Sequence, residues 1–373
     1  MKKVAVLVSN DLTHDQRVRK VCEELLDQGH DITLVGRKLP TSEDMERPYE
    51  VIRLPLYFSG GALFYASLNI RFFLFLLSRK FDVVHVNDLD TLLPAFLIAR
   101  FKRWHIVYDS HEYFTEAAGL TGRNFQKSVW LGVEKWIFPK LKHVVTVNES
   151  IAAIYRDKYS VPVNVVRNIP PLTTMAKKPS REDLGLPADK RIVLLQGAYI
   201  DYDRGCLEAV QSMQWVDNVL FLVIGSGQEV GLAKEECSAL GLDDKVRFMP
   251  KMPFDKLRQY TSVADLGLSL DKPLHLNYKL SLPNKLFDYI HAAIPVVTSP
   301  LPELKRIVDT YNIGMTTEGY TPEAIAQTIN AALDSTDRAL WQANLKIAAK
   351  ELTWDNEKQV FKKIYAEIEA EKA

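Results

Sequence analysis

Short apolar runs recur along this chain, each parted from the next by a stretch of helical period, and that alternation leaves few ways to fold. The runs lie at 4–8, 32–35, 83–86, 106–107 and 144–147, and resume at 192–196, 220–224, 246–248 and 266–270. Strands without polar alternation are buried on both faces, so the expected fold class is α/β with parallel sheets covered by helices. Between the two series, residues 168–191 carry Pro170, Pro171, Thr173, Thr174, Lys177, Lys178, Pro179 and Pro187. That stretch reads as a linker followed by a short helix. With 373 residues the chain has room for two domains. They are expected at 1–168 and 191–353, joined by a linker at 169–190. A helical tail rich in Lys and Glu follows at 354–373.

Ligands of such sheets bind beyond the carboxyl ends of the strands. Three polar clusters stand there in the first half. They are Asn10, Asp11, Thr13, His14, Asp15 and Arg17; then Asn87, Asp88 and Asp90; then Asp109, His111, Glu112 and Glu116. A single polar loop means little, but three at successive strand ends favour a site over solvation. In the second half, a loop runs from Gln196 through Arg204 to Gly205. Gly225 and Gly227 follow another strand, where bare backbone N–H groups can approach a ligand.

The stretch 281–308, SLPNKLFDYIHAAIPVVTSPLPELKRIV, carries the most chemistry. Pro283 suits a first helical turn. At about 100° per residue, Asn284, Lys285 and Asp288 share an open arc, while Leu286, Tyr289, Ile290 and Ala293 face the core. Pro295 opens a buried strand, and Ser299 or Pro300 the next helix, which carries Glu303. A lysine near a helix N-terminus suits a phosphate, and an aspartate one turn on can accept from a vicinal diol such as ribose. An amphipathic helix with a solvated polar face fits the same residues.

Lys+Arg and Asp+Glu are equal at 47 each, so no basic excess argues for nucleic acid. Hydrophobic residues make up 47% and charged residues 25%, as in soluble globular proteins. Cys22, Cys206 and Cys237 are scattered without metal-ligand spacing, which suits a reducing cytoplasm. The opening MKKVAVLV reads as a first buried strand rather than an export signal. Residues 58–77 are the most apolar, though Gly60, Gly61, Asn69 and Arg71 interrupt them. They read as a helix packed on the sheet, or as an interfacial helix that touches a membrane together with Arg79 and Lys80.

The motifs, taken in order, resemble the retaining glycosyltransferases of family 4. The donor signature of that family is matched by Pro283, Lys285, Asp288, Ala292, Pro295, Val296 and Glu303, and its opening segment by Asp15, Arg17, Val18, Leu25, Gly29 and His30. Asp288 replaces the usual glutamate, and Leu280 occupies the position of the first acid of a pair. Ala198 stands where a second basic residue is common. The resemblance implies the GT-B fold, two Rossmann-like parallel-sheet domains facing a central cleft. It also implies transfer of a sugar, with retention, from a nucleotide diphosphate sugar to a glycan or lipid-linked acceptor in cell-surface polysaccharide synthesis. The setting would be the cytoplasm or the inner face of the membrane, with neither cofactor nor metal.

Donor binding would fall to Gly197, Arg204, Gly205, Gly225, Gly227, Asn284, Lys285 and Asp288. Arg204 and Lys285 would converge on the diphosphate, and Asp288 would hold the ribose. His111 would lie over the transferred sugar, oriented by Asp109 or Glu112. The tail would pack back on the N-terminal domain through Trp354, Val360 and Tyr365. Rival readings are an epimerase acting on sugar nucleotides and a dinucleotide-dependent oxidoreductase. The latter is disfavoured because Val230 stands where its fingerprint needs a third glycine. A two-lobed sugar-binding protein would normally carry an export signal.

Overall fold

The computed structural model describes residues 1–120, 122–172 and 178–371. The chain forms two compact units, Met1–Asn168 with Glu357–Ala373, and Ile169–Asn356. Of the expected linker, Thr173, Thr174 and Lys177 lie outside the described residues.

The first unit is built on a seven-stranded parallel sheet. Its strands are β1 (Lys3–Leu7), β2 (Asp31–Lys38), β3 (Glu50–Pro55), β4 (Val83–Asn87), β5 (His105–Ser110), β6 (His143–Thr146) and β7 (Val163–Val165). They lie in the order β3-β2-β1-β4-β5-β6-β7. The second unit has β8 (Arg191–Gly197), β9 (Val219–Gly225), β10 (Val246–Met249), β11 (Leu266–Ser269), β12 (Val296–Thr298) and β13 (Gly314–Thr316), ordered β10-β9-β8-β11-β12-β13. Each sheet therefore reverses its winding once, between β1 and β4 and between β8 and β11. At such a point loops leave the sheet in opposite directions and open a crevice. In the second unit alternate strand residues feed two separate cores. Val193, Leu195, Phe221 and Val223 lie in one, and Ile192, Leu194, Leu220 and Leu222 in the other.

Three strands escaped the sequence reading. β3 is half-exposed along most of its length, and β7 and β13 have three residues each, so none shows a continuous apolar run. Two local starts also shift. Pro283 caps its helix from outside, the helix running Asn284–His291. The next one begins at Pro302 rather than at Ser299 or Pro300.

The tail is two helices, Trp354–Glu357 and Gln359–Ala370. The break at Lys358 resets the helical phase. Tyr365 is buried as expected, in a stripe with Phe361, Ile364 and Ile368; Trp354 is buried too, whereas Val360 is only half-buried. Residues 354–356 group with the second unit, whereas the long helix completes the first. There the Tyr365 hydroxyl meets His85 Nδ1 at 3.1 Å.

The apolar stretch forms the helix Gly61–Ser78, which buries Phe64, Leu68, Phe72 and Leu76, one residue per turn. Leu63, Ile70 and Leu74 remain more than half exposed. By length and composition the helix could cross a membrane.

Candidate active site

In the first unit the strand ends gather around one carboxylate. Asp109, the penultimate residue of β5, is fully buried. Arg17 grips it in two places, Nε to Oδ2 at 3.0 Å and Nη2 to Oδ1 at 2.6 Å, while Nη1 donates to Val166 O at 2.7 Å. Arg17 is itself buried, on the inward face of the helix Gln16–Asp27. His111 Nε2 lies 3.6 Å from Asp109 Oδ2 and 3.0 Å from Asn87 Oδ1, and its Nδ1 is 3.6 Å from Asp88 Oδ2. The backbone N–H of His111 also donates to Asp88 Oδ1 at 2.8 Å.

Asp109, as expected, and Asp88, to which the sequence reading gave no such role, are thus carboxylates within reach of the ring. Burial would lower the His111 pKa, but the charges of Asp88 and Asp109 outweigh it and raise it to about 9. Burial also opposes ionisation of Asp109, yet Arg17 and the two histidines hold it well below the usual carboxylate range. Asp88 adopts φ 61°, ψ 169°, backbone that residues other than glycine rarely take. Beside it, burial reinforced by the Asp88 charge raises Asp90 to about 7.

In the second unit the helix Asn284–His291 is wedged into the winding reversal. The β8–β11 ladder there spans only Leu266↔Val193 and Gly267↔Leu194. Tyr289 fills the gap. Its hydroxyl reaches Leu268 O at 3.1 Å and Leu194 O at 3.3 Å, and accepts from Gln196 N at 3.2 Å. Gly267 must be glycine, since a Cβ would stand 2.5 Å from the Tyr289 ring. Lys285 is one turn from Tyr289 and about 40° away around the axis, so it is drawn inward rather than into the open arc. Only Asn284 of that arc is exposed.

Lys285 and Arg204 come together on Asp271, a residue the sequence reading did not single out. Asp271 is fully buried two residues past β11. Its Oδ1 accepts from Arg204 Nη1 at 2.7 Å, and its Oδ2 lies 3.4 Å from Lys285 Nζ and accepts from Ser269 Oγ at 3.2 Å. Burial would raise its pKa, but the two cations prevail and lower it. Arg204 also lies over the Tyr278 ring, 4.6 Å from its centroid. One guanidinium nitrogen is engaged, so Nε and Nη2 keep free donors among the described residues; so does the ammonium of Lys285. The side chains retain 27% and 11% of their exposure. This is a pair of held cations with hydrogen-bonding capacity to spare, an arrangement suited to an anion with several oxygens.

The glycines serve the chain's own packing. Gly197 and Gly225 are cross-strand partners at the ends of β8 and β9. Ile200, buried, tucks between them: a Cβ on Gly225 would stand 2.1 Å from Gly197 O, and one on Gly227 2.1 Å from Ile200 O. Gly205 has φ +73°, and its Cβ would stand 2.3 Å from Leu270 O. These contacts fix the loop that carries Arg204.

Asp288 is not brought onto the Arg204–Lys285 pair. Its Oδ2 accepts from Gln196 Nε2 at 2.9 Å, and Gln196 Oε1 accepts from Thr261. Burial raises Asp288 to about 7 against that hydrogen bond and the Arg258 charge. Glu303 is buried in the first turn of its helix and pairs with Arg306. Asp271, Gln196 and His85 were missed; the strand-end criterion applied after β11 would have found Asp271.

Comparison with known proteins follows this division. Residues 15–172 match the family model described as Glycosyltransferase Family 4, and residues 191–335 match that described as Glycosyl transferases group 1. The D-inositol 3-phosphate glycosyltransferase of Xylanimonas cellulosilytica is 23% identical over 354 residues, covering 77% of this chain and 79% of that protein. The solved sucrose-phosphate synthase of Thermosynechococcus elongatus superposes with a TM-score of 0.80 at 17% identity, over 100% of both chains. HepE of Anabaena, solved in complex with UDP and glucose, gives 0.73 at 14% identity over 98% and 100%.

Proposed function

We propose, for a chain that is a family 4-like glycosyltransferase on the GT-B fold, that it moves a sugar from a nucleotide diphosphate sugar to a glycan or lipid-linked acceptor, with retention of configuration. One observation carries the donor assignment: Arg204 and Lys285 meet at the winding reversal of the second sheet with donors to spare. As the glycosidic bond breaks, charge accumulates on the departing diphosphate. Two fixed cations stabilise it there, each charge-assisted hydrogen bond contributing about 1.5–3 kcal/mol. No metal or cofactor is invoked for that step.

Asp288 would accept from the ribose hydroxyls once ionised, and Asn284 would serve the helix start. Gly197, Gly205, Gly225 and Gly227 would shape the loops around the donor. His111 would act beside the transferred sugar, oriented by Asp109 and Asp88. The strained Asp88 backbone supports a functional role there, because such strain persists where the surroundings enforce it.

We place the enzyme in the cytoplasm, in cell-surface polysaccharide synthesis, with peripheral contact to the inner face of the membrane. Three buried free cysteines fit a reducing compartment. The apolar outer face of the Gly61–Ser78 helix, with Arg71 beside Tyr57, fits a lipid surface. Sedimentation with anionic vesicles at low salt tests the contact; protein left wholly in the supernatant removes it.

The main test is a panel of UDP-, GDP- and ADP-sugars scored by thermal shift, followed by product analysis. UDP-sugars come first because HepE was solved with UDP. Release of nucleoside diphosphate only when acceptor is present, with a product of the donor's anomeric configuration, is the expected result. An epimerised sugar nucleotide formed without acceptor would favour the epimerase instead.

A further inference from the structure

Asp271 is the one member of the second-unit cluster that no step of the transfer uses. A fully buried carboxylate beside a site for an anion looks counterproductive, since it repels the ligand the cations attract. Its surroundings give the reason for its presence. Arg204 and Lys285 come from different segments, the loop after β8 and the helix before β12, and both are long side chains with much rotamer freedom to lose. Placed side by side without a counter-charge they would repel each other and scatter. Asp271 takes one contact from each, on separate oxygens. It is itself tethered, since Ser269 Oγ donates to its carboxylate and Ser299 Oγ to its backbone carbonyl at 2.7 Å. Being wholly enclosed, it is out of reach of a ligand, whereas both cations keep an exposed side.

We infer that Asp271 is the positioning residue of the diphosphate grip: it holds Arg204 and Lys285 in one fixed arrangement whose unused donors face the ligand. The inference rests on the proposed function, and its test separates the two. Affinities for UDP, GDP, ADP and inorganic pyrophosphate are measured by calorimetry on the full chain, the wild type first. Binding of none of them overturns both the donor reading and this inference. Where wild type binds, Asp271→Asn is compared with the same change made in an Arg204→Gln background. Action through both cations predicts a loss of about tenfold in the first case and about threefold in the second, where only Lys285 is left to be held, because contacting residues are coupled. A purely structural carboxylate costs the same in both, and that result, or tighter binding by Asp271→Asn, overturns the inference. If Asp271→Asn does not fold, Asp271→Glu takes its place. It keeps the charge and displaces the carboxylate by a methylene, so affinity should fall about tenfold while the melting point holds. Unchanged affinity overturns the inference while leaving the proposed transfer standing.

Discussion

Asp109 and Asp271 are the same device used to different ends. Each is a fully buried aspartate at the carboxyl end of a strand, and each faces an arginine and a second cationic side chain. Around Asp109 the arginine is closed off: Arg17 is buried, and each of its three guanidinium nitrogens already donates within the unit. Around Asp271 the arginine spends one nitrogen and stays partly exposed. What separates a structural ion pair from a binding site is therefore the bonding capacity left over once the carboxylate is satisfied. Residue type and burial of the acid are alike in both.

That contrast can be broken at either end. The largest effect is expected from Arg17→Met, which strands a buried carboxylate. It should cost about 3–5 kcal/mol of stability in chemical denaturation, and a cost below about 1 kcal/mol would show that Arg17 is no structural counter-ion. Next comes Lys285→Ala. Nucleoside diphosphate affinity should fall about a hundredfold, roughly 2.7 kcal/mol, with a smaller loss of stability than Arg17→Met because Arg204 still pairs with Asp271. Equal affinity for mutant and wild type would take Lys285 out of the site. The smallest effect is a pH dependence in the first unit. His111 has its native pKa raised to about 9 from an ordinary value of about 6.5. The folded chain thus holds that proton more tightly than the unfolded one. The full shift corresponds to about 3 kcal/mol, which solvent screening of a ring still 20% exposed reduces to about 1–2 kcal/mol; that stability is fully present below about pH 6.5 and is lost as pH rises through about 9. In His111→Asn the stability difference between pH 6 and 9.5 should shrink by that amount; an unchanged slope would place the titration elsewhere.

Much of this was legible in the chain, for reasons that also mark the gaps. Strands covered on both faces announce themselves, so the central strands of both sheets were found, whereas β3, β7 and β13 were not. Lys285 and Arg204 were readable as cations near helix starts. Their shared partner was not, because an aspartate before Lys272 and Pro273 reads as an ordinary turn until the winding of the sheet brings it beside Arg204. Arg17 looked like a strand-end binding residue; only its burial against Asp109 shows it closed. Helical phase put Lys285 on the open arc, whereas it is drawn inward beside Tyr289, which enters the gap between β8 and β11.

The order of the two units along the chain has a consequence for synthesis. The helix Gln359–Ala370 belongs to the unit that starts at Met1, while the second unit is one uninterrupted segment. On the ribosome the later-made unit can close as soon as its own residues emerge. The earlier-made one has to wait with the seat of Phe361, Ile364, Tyr365 and Ile368 uncovered, and with His85 lacking its tyrosine, until that helix has been made. A nascent chain stalled before that helix would expose an apolar trough to chaperones in the half that was translated first.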